Sequence, residues 1–178
     1  MPYATVGPDK QNSLLSFNTV VQNIPKLEKA ANGYDMFTVL PDADGVYRKV
    51  ALVMKAEGQV RLWLAMELLR AIKSNDAGIE GIVVGNNLIR TDASGRVWPW
   101  FSESRPERFV AAKDGLEFSA PVESLRGKLA MVGTSAIGLE DYRAIPLDSL
   151  MAGAEIQVQV LEGVLSNQLL IRPNYAFV

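Results

Sequence analysis

Carboxylates and hydroxyls are the side chains of this sequence that could do chemistry. The chain contains no cysteine and no histidine, which excludes thiol nucleophiles, Ser-His-Asp triads and zinc sites of the ordinary Cys/His type. Acid–base work by carboxylates, Lys or Tyr bases, and oxygen-ligand sites for Mg²⁺ or Ca²⁺ remain. Asp141 and Glu155 are the candidate acid–base pair. We favour capping roles for them, with Glu155 in the first turn of a helix, where the helix dipole stabilises negative charge.

The segment Gly133-Thr134-Ser135-Ala136 lies between these carboxylates and a preceding apolar run, and it is a candidate binding loop. Its free N–H groups and the hydroxyls of Thr134 and Ser135 could hold an anion, and ligands often bind beyond the carboxyl ends of strands in α/β sheets. The segment lacks the P-loop pattern, and a hydrolase elbow would need Gly-x-Ser-x-Gly and a histidine. A structural turn is the interpretation that we favour.

The segment Asp42-Ala43-Asp44-Gly45 could begin a calcium loop. Val46 and Tyr47 follow it, where such a loop needs a further oxygen ligand, so we interpret the segment as a plain turn. We expect Arg48 to tie this turn to a carboxylate elsewhere in the fold, with ligand contact as the alternative.

Hydrophobic periodicity predicts the elements that position these residues. The segment 153–166 contains both an alternating and a helical pattern, and its length favours a helix. The segment 128–134 is a short continuous apolar run between glycines, which is typical of a central strand covered on both faces. Residues 13–22 fit either a helix or a strand. Further helices are predicted at about 25–31 and 60–73, and further strands at 35–40, 46–54, 79–84, 88–91 and 96–100. The strands 35–40 and 46–54 are expected to pair as a hairpin around the turn at 42–45, and a second turn is predicted at 92–95.

Helices interleaved with extended segments predict an α/β fold, with a mixed sheet and packed helices in one domain. With 18 basic and 20 acidic residues, the net charge is −2, which gives no reason to expect a nucleic-acid partner. No apolar run reaches 18 residues and no signal peptide is visible. Composition alone therefore favours a soluble cytoplasmic protein.

Three stretches of the sequence together resemble the CHASE2 family. The first resembles the Asp-x-Asp-Gly-x-x-Arg hairpin of that family, and the order and spacing of all three are similar to the family pattern. They are LPDADGV at 40–46 with Arg48, LAMVGTSAIGL at 129–139 with Asp141 and Pro146, and GAEIQ at 153–157 followed by Leu169 and Arg172-Pro173.

The resemblance implies an extracytoplasmic (periplasmic) sensor domain of a cell-membrane receptor, contrary to the expectation from composition. Such domains are fused to adenylate or guanylate cyclases, histidine kinases or serine/threonine kinases, so we expect a covalently linked cytoplasmic output domain and a homodimer. The family usually has a longer N-terminal region, so part of the domain would be missing here. We expect a flexible start at 1–12, the sensor domain at 13–173 and a tail at 174–178 leading to a membrane span.

The function expected from this resemblance is recognition of a small-molecule or protein signal, without catalysis, cofactor or metal. The expected ligand-binding residues are Thr134, Ser135, Asp141, Glu155 and Arg48. Two alternatives remain at this point: a dimerisation module that senses nothing, and a small soluble enzyme that uses carboxylates.

Overall fold

An extended apolar segment at residues 50–56 lies at the centre of the fold. Every residue in it except Lys55 is buried, as expected for a strand that is covered on both faces. The computed structural model describes residues 13–73, 77–78, 81–84, 87–134 and 141–171. In chain order the elements are β1 (Ser16–Phe17), α1 (Pro25–Ala30), β2 (Val50–Ala51), β3 (Val53–Ala56), β4 (Gln59–Leu62), α2 (Leu64–Lys73), β5 (Ala77–Gly78), β6 (Gly81–Val84), β7 (Asn87–Arg90), β8 (Arg96–Pro99), α3 (Ala112–Leu116), α4 (Val122–Leu125), β9 (Tyr142–Arg143), β10 (Met151–Ala152), α5 (Gly153–Ser166) and β11 (Leu169–Leu170).

Two three-stranded sheets share the central segment. In one, β3 lies between β1, which runs parallel to it, and β4, which is antiparallel. In the other, β8 lies between β11 and β2, with both pairings antiparallel. An antiparallel β5-β6-β7 sheet and the β9–β10 pair are also present. Parallel and antiparallel pairings together confirm the α/β class with a mixed sheet.

Helices α2 and α5 pack against each other and bury their apolar faces in a single core. In α5, Ile156, Val160 and Val164 are buried at four-residue intervals, which is the spacing of one helix face. Helix α5 ends at Ser166 and is capped by Asn167, whose φ of 55° is left-handed, a conformation that asparagine tolerates at a helix end. The prediction of a helix at 153–166 is therefore confirmed.

The predicted helix at 60–73 begins later than expected, because residues 60–62 belong to β4. Glu57 and Gly58 both have positive φ, at 52° and 78°, and form the two-residue turn that joins β3 to β4. Val53 pairs with Leu62 across this hairpin. Cross-strand pairing therefore overrides the helical spacing of Leu62 in the sequence.

The predicted hairpin of 35–40 with 46–54 is wrong, although its turn is correct. Gly45 has φ of 82°, and the Asp42 N–H donates to the Val46 carbonyl at 2.9 Å. Met36 instead pairs with the end of β4: its N–H donates to the Leu62 carbonyl, and its carbonyl accepts the N–H of Leu64. The Asp35 carboxylate accepts the N–H of Leu62 at 2.9 Å and fixes this alternative pairing.

The prediction of a central buried strand at 128–134 is also wrong. None of these residues lies in a strand or is buried, and the Val132 side chain is 92% exposed. A central strand needs a partner with unpaired N–H and C=O groups on each side. In the described part of the chain, β8 is a central strand, with β2 on one side and β11 on the other. The 128–134 segment has no such strand partners there, and its Gly133 lies against Ala154 of α5.

Other local predictions agree with the structure. Helix α1 begins at Pro25, β6 and β7 form the second predicted strand pair, and Gly95 closes the turn before β8 with φ of 74°. The ambiguous stretch 13–22 contributes the strand β1. The predicted flexible start at 1–12 and the Arg172-Pro173 step lie outside the described residues. Across the described ranges, no helix is both long and apolar enough to cross a membrane.

Candidate ligand-binding site

A cleft with a volume of about 350 Å³ opens at the N-terminal end of α5. Its size falls at the small end of the range of about 300–1,000 Å³ that is usual for small-molecule sites. The wall combines apolar side chains with a few polar groups, which is the usual composition of such a site. The lining residues are Phe37, Thr38, Val39, Tyr47, Leu64, Met131, Val132, Gly133, Asp141, Arg143, Gly153, Ala154 and Gln157.

The β9–β10 pair places two charged residues at the cleft. Strand β10 leads directly into α5, and the Gly153 N–H at the start of that helix donates to the Asp141 carbonyl at 2.8 Å. The Arg143 guanidinium lies 3.4 Å from the Asp141 carboxylate, and both side chains are partly exposed. The cleft therefore presents a negative and a positive group side by side.

Two glycines allow close approach at this end of α5. A Cβ atom on Gly153 would lie 2.5 Å from Oδ1 of Asp141, and a Cβ on Gly133 would collide with the Cβ of Ala154. The absence of a side chain at Gly153 lets the Asp141 carboxylate lie beside the first turn of α5. The absence of one at Gly133 lets the 131–133 segment, which also lines the cleft, lie close against Ala154 in the first turn of α5.

Gln157 supplies a buried polar group to the cleft, with only 5% of its surface exposed. Its Oε1 accepts the N–H of Ala65 at 3.2 Å, which satisfies one of the first-turn donors of α2. This bond orients the side-chain amide, because only the oxygen can accept. Within the described residues, the Nε2 amino group has no acceptor, so its two hydrogens are available to a ligand.

The structure describes only the first part of the predicted binding loop, Gly133 and Thr134. Asp141 lines the cleft, and Thr134 is exposed and follows Gly133, which also lines it. Ser135 lies outside the described residues. The cleft therefore adjoins the predicted loop, and the proposed anion nest stays a prediction.

Glu155 lies in the first turn of α5, as predicted, but it is not part of the cleft wall. Its Oε2 accepts the Ser104 hydroxyl at 2.9 Å, and its Oε1 lies 3.8 Å from the Arg108 guanidinium. Nearby, the Gln159 side chain exchanges two hydrogen bonds with the backbone of Ser102. The buried Glu155 carboxylate therefore fastens the 102–108 segment to α5.

Arg48 bonds within the turn that precedes it, not to a carboxylate elsewhere. Its guanidinium donates to both carboxylate oxygens of Asp44, at 2.8 and 2.7 Å, and lies 3.4 Å from Asp42. The hydrogen bonds from Arg48 and from the Val46 N–H lower the pKa of Asp44 to about 2. Among the described residues, no three acidic side chains are grouped as metal ligands would be.

Arg143, Gly153 and Gln157 were missed as site residues by the sequence analysis. Gln157 had a detectable signal, because Gln157 and Gln159 are polar residues within an otherwise largely apolar helix. Arg143 had none: it follows Asp141 by two residues, but its place at the cleft depends on the pairing of β9 with β10, in which Arg143 lies opposite Met151.

The comparison with family models agrees with the resemblance seen in the sequence. The model described as the CHASE2 domain matches residues 7–178, which is nearly the whole chain. No curated protein and no solved structure matches it. The chain therefore belongs to the CHASE2 family, a family of sensor domains of extracytoplasmic receptors.

Proposed function

We propose that this chain is the extracytoplasmic ligand-recognition domain of a transmembrane signal-transduction receptor, and that the cleft at α5 is its ligand site. The observation that carries the proposal is the buried amide of Gln157. Its unpartnered Nε2 group contributes to a cleft that also presents Asp141 and Arg143. The residue is buried while this amino group opens onto the cleft, where a ligand acceptor could bond to it.

Helix α5 connects the cleft to the C-terminal part of the domain. Its first turns line the cleft through Gly153, Ala154 and Gln157, and its far end leads to β11, which pairs with β8. A membrane span and a cytoplasmic output domain are expected beyond residue 178, by analogy with the family. A ligand that prefers one of two positions of α5 would shift the receptor toward that state.

A catalytic role receives less support. An acid–base pair would need both carboxylates at one site, whereas Asp141 lines the cleft and Glu155 contacts Ser104 on the 102–108 segment. The family is one of sensor domains and not of catalytic ones.

Thermal unfolding of the chain in the presence of a library of small metabolites tests the proposal. A ligand that binds only the folded state at a hundred times its dissociation constant adds about 2.7 kcal/mol to the free energy of unfolding. We expect at least one class of metabolite to raise the melting temperature, and Asp141→Asn to reduce that rise.

Asp114→Asn is the matched control, because Asp114 lies in α3 and is exposed. It should leave the response unchanged. A response that survives Asp141→Asn undiminished would place the ligand elsewhere.

A dimerisation module that senses nothing is the second candidate, and one surface favours it. No residue from 103 to 134 is buried, and large apolar side chains there face solvent. Exposed apolar clusters often mark protein contacts. Light scattering across a concentration series would support this alternative if it showed a stable dimer while the metabolite library showed no stabilisation. In the segment 103–134, the most exposed apolar side chains are Leu116, Phe118, Val122 and Val132.

A further inference from the structure

We infer that the cleft binds a small zwitterion with an apolar side group, chemically an α-amino acid or a close analogue. The inference rests on the proposed function, because it assigns a ligand class to the same cleft. It follows from three parts of the wall: donors for a carboxylate, a carboxylate for an ammonium group, and an apolar surface.

Donors for a ligand carboxylate come from α5 and β9. Gln157 is buried as a residue, and its Nε2 group lines the cleft and has no acceptor among the described residues. It lies on the first turns of α5, whose N-terminal dipole favours an anion, and no side chain caps this end of the helix. Arg143 adds a guanidinium, the side chain best suited to a carboxylate.

The negative charge of Asp141 argues against a simple anion as the ligand. Its carboxylate lies next to Gly153 and 3.4 Å from the Arg143 guanidinium, so an anion near the start of α5 would also face a negative charge. A ligand ammonium group would pair with Asp141 while the ligand carboxylate pairs with Arg143 and Gln157. Adjacent opposite charges on the ligand therefore match adjacent opposite charges on the protein.

The rest of the wall fits an apolar side group. Val39, Leu64 and Met131 line the cleft, with the aromatic rings of Phe37 and Tyr47. These side chains could bury an aliphatic or aromatic group, and the burial of its CH₂ groups would favour binding. The volume of about 350 Å³ limits the ligand to a small molecule.

Isothermal titration calorimetry on the 178-residue chain tests this assignment. The probes are L-leucine, L-methionine and L-phenylalanine, with N-acetyl-L-leucine and L-leucinamide as analogues that lack the ammonium charge or the carboxylate. We expect at least one amino acid to bind. We also expect each analogue of leucine to bind about tenfold or more weakly than leucine, since the loss of a hydrogen bond to a charged group typically lowers affinity by about that factor.

Two substitutions test the recognition of the ligand's ammonium group and of its carboxylate separately. Asp141→Asn should weaken leucine about tenfold or more, yet leave N-acetyl-L-leucine unchanged or bound more tightly, because a repulsive carboxylate is removed. Gln157→Glu keeps an oxygen for the Ala65 N–H but removes the donor, so it should weaken every ligand that carries a carboxylate. Asp114→Asn is the control, and far-ultraviolet circular dichroism verifies that each variant folds.

The outcomes distinguish this inference from the proposed function. N-acetyl-L-leucine binding as tightly as leucine would overturn the zwitterion assignment in favour of a plain carboxylate site. If no amino acid binds at millimolar concentration, while another metabolite stabilises the chain through Asp141, the ligand class is wrong and the sensor function stands. If no compound of any class binds, both are overturned.

Discussion

At the scale of the residue, hydrogen bonds within the segment 42–48 determine the pKa of one carboxyl group, that of Asp44. Arg48 forms ion pairs with both Asp44 and Asp42, while Lys49 pairs with Asp42 and not with Asp44. The hydrogen bonds from Arg48 are the largest cause of the lowered pKa of Asp44, and the Val46 N–H is the second. All these groups are at least partly exposed, so the ion pairs contribute little to stability and are weakened by salt.

We predict that Arg48→Ala raises the pKa of Asp44 from about 2 toward its ordinary value of 3.8. The folded-state pKa is the lower one, so the interaction favours the folded state at pH values above the ordinary value. That contribution is lost as the pH falls toward 2. Titration of the side-chain carboxyl resonance by nuclear magnetic resonance measures the change.

Lys49→Ala is the control, because Lys49 pairs with Asp42 and not with Asp44. An Asp44 pKa that is the same in the wild type and in Arg48→Ala would contradict the assigned cause.

At the scale of the element, the β3–β4 hairpin carries a residue that is poorly suited to its backbone. Glu57 adopts φ of 52° and Gly58 φ of 78°, the signs that a type I′ turn requires at both central positions. Glycine tolerates this conformation, whereas for most other residues it costs about 1–2 kcal/mol. The hairpin therefore forms despite Glu57, because four residue pairs join its strands.

We predict that Glu57→Asn raises the free energy of unfolding by about 0.5–1 kcal/mol, since Asn-Gly is a preferred pair for this turn. The Glu57 N–H donates to the Phe17 carbonyl at 3.0 Å, and the substitution keeps that bond. Gly58→Ala should lower the same quantity by about 1 kcal/mol. Urea unfolding measures both, and a loss of stability in Glu57→Asn would refute the account of the turn.

At the scale of the whole molecule, stability depends on the core between α2, α5 and the central segment 50–56. Leu52, Trp63 and Ile156 are fully buried there, from three different elements or connections. In contrast, α3 and α4 contribute no buried residue. Within the described residues, the buried core therefore lies around α2, α5 and the central segment, and the segment 103–134 contributes no buried residue to it.

We predict that Leu69→Ala in α2 lowers the free energy of unfolding by about 2–5 kcal/mol, because it leaves a cavity in the core. Leu116→Ala in α3 is the matched control. The side chain of Leu116 is 79% exposed, against 1% for Leu69, so the control should change stability by no more than about 0.5 kcal/mol. Chemical denaturation with far-ultraviolet detection compares the two, and equal losses would contradict the described core.

The sequence by itself determined the features that depend on neighbouring residues. Pro25 at the start of α1 and the glycines at 45 and 95 act through their own backbone preferences, so local rules predicted α1 and both turns. At α5 the alternating and helical patterns conflicted, and the length of the segment decided correctly for a helix, which spans 14 residues. The family resemblance also came from the sequence, through three stretches with a characteristic order.

Only the tertiary structure decided which segments pair and which side chains meet. Residues 60–62 joined a hairpin and 128–134 did not join a described sheet, because strand formation depends on partners that are distant along the chain. For the same reason, the cleft unites Asp141 and Arg143 with Gln157, while Glu155 on the same helix contacts Ser104 instead. Side chains a few positions apart on a helix point in different directions, so the packing of α5 determined which of them could meet a ligand.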